Sequence, residues 1–166
     1  MAGALIVTTE IAPADLSWIE ALRRAHYPAE RNLVPAHLTM FHSLPPSSEA
    51  ELRSRLAQVV RRAPPAAVIS GLMNLGGGVA LRVVSSDLDR IRDELACDLH
   101  GLLGAQDSGG WRPHITVQNK VAPKVARALM DSLEREFAPR PLAIKGLALQ
   151  RYLGGPWERV ADYLFR

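Results

Sequence analysis

Two short segments of this chain carry side chains that can move protons and hold an oxyanion. They are His37-Leu38-Thr39-Met40 and His114-Ile115-Thr116-Val117. An imidazole titrates near pH ~6.5, so around neutrality one ring can act as a base and a second, protonated, as an acid. A threonine hydroxyl can donate to a non-bridging phosphate oxygen, where negative charge grows during reaction. Two imidazoles and two hydroxyls together match the needs of phosphodiester cleavage. One ring takes a proton from an attacking water or hydroxyl, and the other gives one to the leaving oxygen. No metal is required, and neither segment holds an acidic ligand for one. A single H-x-T tripeptide says little, because such triplets occur by chance in many strands. Here there are two, each with an apolar residue after the histidine and after the threonine, 77 residues apart in a chain of 166.

Side chains alternate faces along a strand. On that rule His37, Thr39 and Phe41 share one face, with Leu38 and Met40 on the other. His114, Thr116 and Gln118 likewise share a face, with Ile115 and Val117 behind. Phe41 therefore becomes a candidate for contacting a base or ribose, with core filling as the alternative. Gln118 and Lys120 become candidates for binding phosphate or orienting substrate. Arg31, in the loop with Asn32 that leads into the first motif, can supply a charge, as can Arg112 before the second. Arg151, Tyr152 and Trp157 flank the last turn, where aromatic rings can stack a base or simply pack the hairpin. His42 falls with Leu38 and Met40 and reads as structural. His26 lies near a helix C-terminus, where a cation is favourable, and His100 lies off the apolar stripe of its helix. Cys97 reads as a small buried residue with no partner for nucleophilic chemistry. Gly76-Gly77-Gly78 lacks the Gly-Lys-Ser/Thr ending of a nucleotide-binding loop and reads as a turn.

The elements around these residues follow from periodicity and punctuation. Strands are expected over 4–9, 36–43, 66–72, 79–84, 112–119, 142–152 and 157–165. Helices are expected over 13–26, from Ser48 to about Arg62, over 86–103 and over 122–137. Pro28 disfavours helix at Tyr27. Ser48 and Glu51 have capping-box spacing. Residues 106–110 read as a polar loop. The class is α+β, in a single domain spanning 1–166. The chain looks doubled, because each H-x-T strand is followed by a proline-marked helix start, at Pro45 and at Pro123. Two similar lobes facing each other would bring both histidines and both threonines into one cleft.

Composition agrees with this and narrows it. Hydrophobic residues make up 48% and charged residues 22%, ordinary globular values that exclude a disordered or coiled-coil chain. The charge of +3, from 20 basic residues (17 arginines and 3 lysines) against 17 acidic ones, allows a phosphorylated ligand without demanding one. With aromatics at 5%, a long RNA-binding groove is poorly supported, and small nucleotides or RNA ends fit better. One cysteine excludes an internal disulfide and a cysteine-rich zinc site. The N-terminus makes a poor signal peptide and no stretch approaches membrane-span length, so a cytoplasmic location is expected.

His37-Leu-Thr-Met40 and His114-Ile-Thr-Val117 resemble the paired motifs of the two-histidine phosphoesterase superfamily, and within it the 2′-5′ RNA ligase-like proteins and cyclic phosphodiesterases. The resemblance implies a bilobal fold of two pseudo-twofold related lobes, each a mostly antiparallel sheet flanked by helices. It implies metal-independent opening of a 2′,3′-cyclic phosphate at RNA ends or small nucleotides, leaving a 2′-phosphate. Thr39 and Thr116 would hold the phosphate. His114 would be the base and His37 the acid, although symmetry makes the roles exchangeable. Joining RNA ends through a 2′-5′ bond, and a module that binds nucleotide without turnover, are the alternatives. No cofactor is expected, and a monomer is, because one chain supplies both histidines.

Overall fold

The apolar, β-branched run Leu5–Ile11 (β1) is an inner strand of the sheet and is buried at all but one of its positions. The structure is a computed structural model and describes residues 3–166. After β1 come α1 (Pro13–His26), β2 (Thr39–Leu44), α2 (Glu49–Val59), β3 (Ala66–Asn74) and β4 (Val79–Val84). Then follow α3 (Ser86–Asp98), the single turn α4 (Ala105–Ser108), β5 (His114–Gln118), α5 (Pro123–Glu134), β6 (Arg140–Tyr152) and β7 (Trp157–Leu164).

The seven strands pair antiparallel in the order β2-β1-β6-β3-β4-β5, with β7 also on β6. The long strand β6 joins two halves. Residues 140–143 pair with β3, and the rest pairs with β1 and β7. The two motif-bearing strands, β2 and β5, therefore occupy opposite ends of the order. Leu5, Val7, Leu38 and Phe41 from one half and Leu81, Leu95 and Ile115 from the other belong to one continuous buried cluster.

Most expected elements form, and the exceptions have local causes. α1 stops at His26, and Tyr27 is extended, as Pro28 after it requires. The capping box at Ser48 does not form. Pro46–Ser48 makes a 3₁₀ turn, the Ser48 hydroxyl donates back to the Pro45 carbonyl at 2.6 Å, and Glu51 instead pairs with Arg55. α3 ends at Asp98, not Leu103, and Gly101, with φ of 86°, turns the chain away. Residues 105–108 form a helical turn where a loop was expected, and Asp107 in it is buried. Cys97 is exposed, not buried. The glycine turn before β4 is a real hairpin, and it also supports β5. Gly77 accepts from the Val121 N–H at 3.0 Å, and any side chain at Gly78 would collide with the Gln118 carbonyl.

Candidate active site

β2 begins at Thr39, so His37 sits just ahead of the strand and not within it. The Leu38 carbonyl already accepts from the Thr9 N–H at 3.0 Å, which aligns the segment with β1. The His37 Nδ1 faces the Pro35 carbonyl at 2.7 Å, and the His114 Nδ1 faces the Arg112 carbonyl at 2.8 Å. A carbonyl can only accept, so each Nδ1 carries the hydrogen. Each Nε2 is left as the ring atom that can take or give a proton.

Both motif strands depart from simple alternation, in the same way. Thr8 pairs with Thr39 but Val7 pairs with Phe41, so Met40 is an extra residue. Ala80 pairs with Thr116 but Val79 pairs with Gln118, so Val117 is an extra residue. A bulge of this kind turns the following residue to the opposite face. Phe41 is consequently in the core, fully buried with the Arg92 guanidinium 4.2 Å from its ring centre, and does not reach substrate space. Gln118 is buried as well, with no partner for its Oε1 among the described residues. The residues one step further on, His42 and Asn119, come to the cleft instead.

The cleft is a cavity of about 310 Å³. His37, Thr39, His114 and Thr116 line it together, with Arg31 and Trp157 from the expected set. Lys120 and Tyr152 are exposed and outside its lining. Lys120 occupies a left-handed turn at φ 62°, and Tyr152 lies at the outer end of β6. Arg151 is held at the surface by Glu49 and Glu158. Arg112 contributes its carbonyl to His114, and its side chain is exposed.

Arg23, Tyr27, His42 and Asn119 line the cleft and were missed as site residues. Arg23 stands four residues after Ile19 on the inner face of α1 and is almost fully buried. Its Nη1 donates to the Thr116 carbonyl at 2.6 Å, and its Nη2 donates to Asn32 Oδ1 and the Val34 carbonyl, each at 2.8 Å. It also stacks on Tyr27. A buried guanidinium is costly unless its donors are paired, and these three acceptors tie the loop before His37 to the strand carrying Thr116. An arginine on an apolar helical stripe was the available signal. A second tie is Trp111, whose Nε1 donates to the Thr39 carbonyl at 3.0 Å.

The two imidazoles differ in surroundings. Trp157 packs on His37 with ring centres 4.6 Å apart. Burial pushes the His37 pKa down to about 4; the Pro35 carbonyl opposes this, and Arg23, His114 and His42 add to it. Asp107 shows the opposite balance of forces. Burial raises its pKa, but hydrogen bonds from His42 and Ser43 win and hold it below the usual carboxylate range.

A seven-stranded antiparallel sheet whose end strands bring two H-x-T segments into one cleft is the arrangement of the two-histidine phosphoesterase superfamily. Residues 10–156 match the family model of the 2′-5′ RNA ligase superfamily, and the chain belongs to that family. Among solved structures it is similar to TT0787 of Thermus thermophilus, at 16% identity, with 98% of each chain covered and a TM-score of 0.68. It is also similar to E. coli LigT complexed with 3′-AMP, at 16% identity, with 99% of each chain covered and a TM-score of 0.67. No curated protein matches it.

Proposed function

We propose that this cleft hydrolyses 2′,3′-cyclic phosphates, at RNA ends or on small nucleotides, to 2′-phosphates. One observation carries the reading. Each imidazole is pinned through Nδ1 to its own main chain, and both open with two threonines onto one cavity. E. coli LigT, which shares the fold, has been solved with 3′-AMP, NADP+, ATP and phosphate, and this supports a nucleotide phosphate as the ligand here.

In the proposed reaction a water oxygen attacks phosphorus and the bond from phosphorus to the ribose 3′ oxygen breaks. One imidazole Nε2 takes a proton from the water, and the other gives its proton to the 3′ oxygen. Thr39 and Thr116 donate to the non-bridging oxygens as charge accumulates. The resemblance gave the water to His114 and the leaving oxygen to His37. The lowered pKa of His37, with Trp157 packed on its ring, favours the reverse, and we assign His37 as the base and His114 as the acid. With its pKa held at about 4, the half-buried His37 ring is uncharged at neutral pH and ready to accept. A bound phosphate anion beside the ring raises its proton affinity, so the base strengthens as substrate arrives.

No metal enters this scheme, and among the described residues no three His, Cys, Asp or Glu side chains are grouped to hold one. No described helix is long and apolar enough to cross a membrane. We propose a monomer, because one chain supplies both histidines to the cleft. The test is hydrolysis of the four nucleoside 2′,3′-cyclic phosphates in EDTA, with 2′- and 3′-phosphate products resolved. A 2′-phosphate product is expected, lost by roughly 10²–10⁴-fold in His37→Ala and in His114→Ala. Unchanged turnover in both variants would refute the site.

A further inference from the structure

The residue five positions after each motif histidine faces the cleft, His42 in one half and Asn119 in the other. Both arrive there because the strand bulges after its threonine. The acid–base pair and the two threonines do not use them.

His42 is held by an arrangement that a surface histidine would not need. Asp107, about 1% exposed, accepts from His42 Nδ1 at 3.1 Å. The same carboxylate accepts the His42 N–H at 2.8 Å and the Ser43 N–H at 2.9 Å, main-chain donors at the bulged part of β2. Arg92, also buried, donates from Nη2 to the Asp107 carbonyl at 2.7 Å and from Nε to the Met40 carbonyl at 2.9 Å. Two main-chain donors would account for the carboxylate by themselves. They do not account for a third contact that fixes a ring standing in the cleft. A carboxylate on Nδ1 sets the tautomer and aims the ring, leaving Nε2 free.

We propose that His42 is a third imidazole of the phosphodiester site, contacting a non-bridging oxygen of the phosphoryl group through Nε2, with Asp107 as its positioning residue. This rests on the reading of the cleft given above. With an oxyanion at Nε2 and a carboxylate at Nδ1, the bound ring carries a hydrogen on each nitrogen. Asn119 stands at the matching position of the other half. Its Oδ1 is occupied by the Lys120 N–H at 2.9 Å, so its amide hydrogens are the donors left for substrate. The halves then contribute parallel sets, imidazole, hydroxyl and one further nitrogen donor each.

The test is a titration of inorganic phosphate into protein labelled with 15N-histidine, read at the ring nitrogens. It is paired with kcat and KM on a nucleoside 2′,3′-cyclic phosphate. His42 Nε2 is expected to move toward the protonated value as phosphate binds, while Nδ1 stays protonated. His42→Ala should weaken phosphate binding about 10-fold and lower kcat/KM by roughly 10- to 100-fold, mainly through kcat. His42→Gln, which keeps a nitrogen donor, should recover part of that loss. Asp107→Asn should reduce kcat with His42 still present and lessen the phosphate-induced shift of its Nε2. An unmoved His42 Nε2, with His42→Ala within twofold of wild type in binding and turnover, would overturn the assignment of His42 and leave the two-histidine site intact. If no cyclic phosphate is turned over by wild type, the proposed activity fails, and the phosphate titration still decides the role of His42.

Discussion

Replacing Trp157 with alanine should raise the pKa of His37 and move the acid limb of catalysis with it. His37 lies at about 4 against an ordinary value of 6.5, with burial the leading cause, then the opposing Pro35 carbonyl, then the charges of Arg23, His114 and His42. The gap corresponds to about 3 kcal/mol of preference for the neutral ring. Trp157 is the ring packed on it, at 4.6 Å between centres. Stripping that cover readmits water to one face of the imidazole but leaves the neighbouring charges in place. A rise on the order of one unit is expected, not a full return. The assay is a histidine ring titration by NMR in both proteins, beside the pH dependence of kcat/KM. In wild type, kcat/KM should climb with unit slope up to about pH 4, where free His37 loses its proton. The limb should move up with Trp157→Ala. Stability carries the same signature. Between pH ~6.5 and about 4 the unfolded chain binds a proton that folded His37 refuses, so stability falls as pH falls through that window. The loss is bounded by about 3 kcal/mol and is smaller after solvent screening, since the ring is part-exposed. A wild-type His37 titrating near 6.5, unmoved by Trp157→Ala, would refute the account of why the two imidazoles differ.

Other expectations separate the groups of the cleft. On an aryl phosphodiester, whose phenolate leaves without a proton, His114→Ala should recover most of its activity and His37→Ala should not. The opposite pattern would restore the roles that the family resemblance implies. Thr39→Val and Thr116→Val should each lower kcat by roughly 10- to 100-fold with smaller changes in KM, since the hydroxyls act on charge that develops in the transition state. Arg23→Met should cost about 2–4 kcal/mol in urea unfolding, because it strands the Thr116 and Val34 carbonyls and the Asn32 amide oxygen.

How much of this was legible in the sequence turns on particular residues. The paired H-x-T segments, the α+β class and nearly every strand could be read, because apolar periodicity and proline punctuation are local signals. What failed was face assignment beyond the threonines. Strict alternation put Phe41 and Gln118 in the cleft and His42 outside it, and all three reverse because Met40 and Val117 are extra residues in their pairings. A bulge is a property of the pairing with β1 or β4, and no residue in HLTMFH or HITVQN announces it. Arg23 escaped notice for a related reason. Its partners lie 9, 11 and 93 residues away, so its role exists only after folding. Asp107 was assigned to a polar loop because nothing near it in sequence reveals that it will cap the bulged main chain of β2.

Two matched H-x-T segments in one cleft pose a chemical problem that their likeness cannot solve. The proposed reaction needs one ring neutral and the other protonated, but the two motif histidines are held alike, each by Nδ1 on the carbonyl two residues back. The difference must come from elements outside the two segments. β7 contributes Trp157, which packs on His37. α1 contributes Arg23, whose charge opposes a proton on His37 while its hydrogen bonds anchor the strand of Thr116. α4 contributes Asp107, which makes the fifth position of one half a fixed imidazole where the other half has a plain amide. Each of these is a single side chain laid against a symmetric frame. Exchanging the environments of the two histidines should therefore exchange their roles while leaving the sheet unchanged. Trp157→Ala is the smallest step in that direction, and its effect belongs on His37 and not on His114.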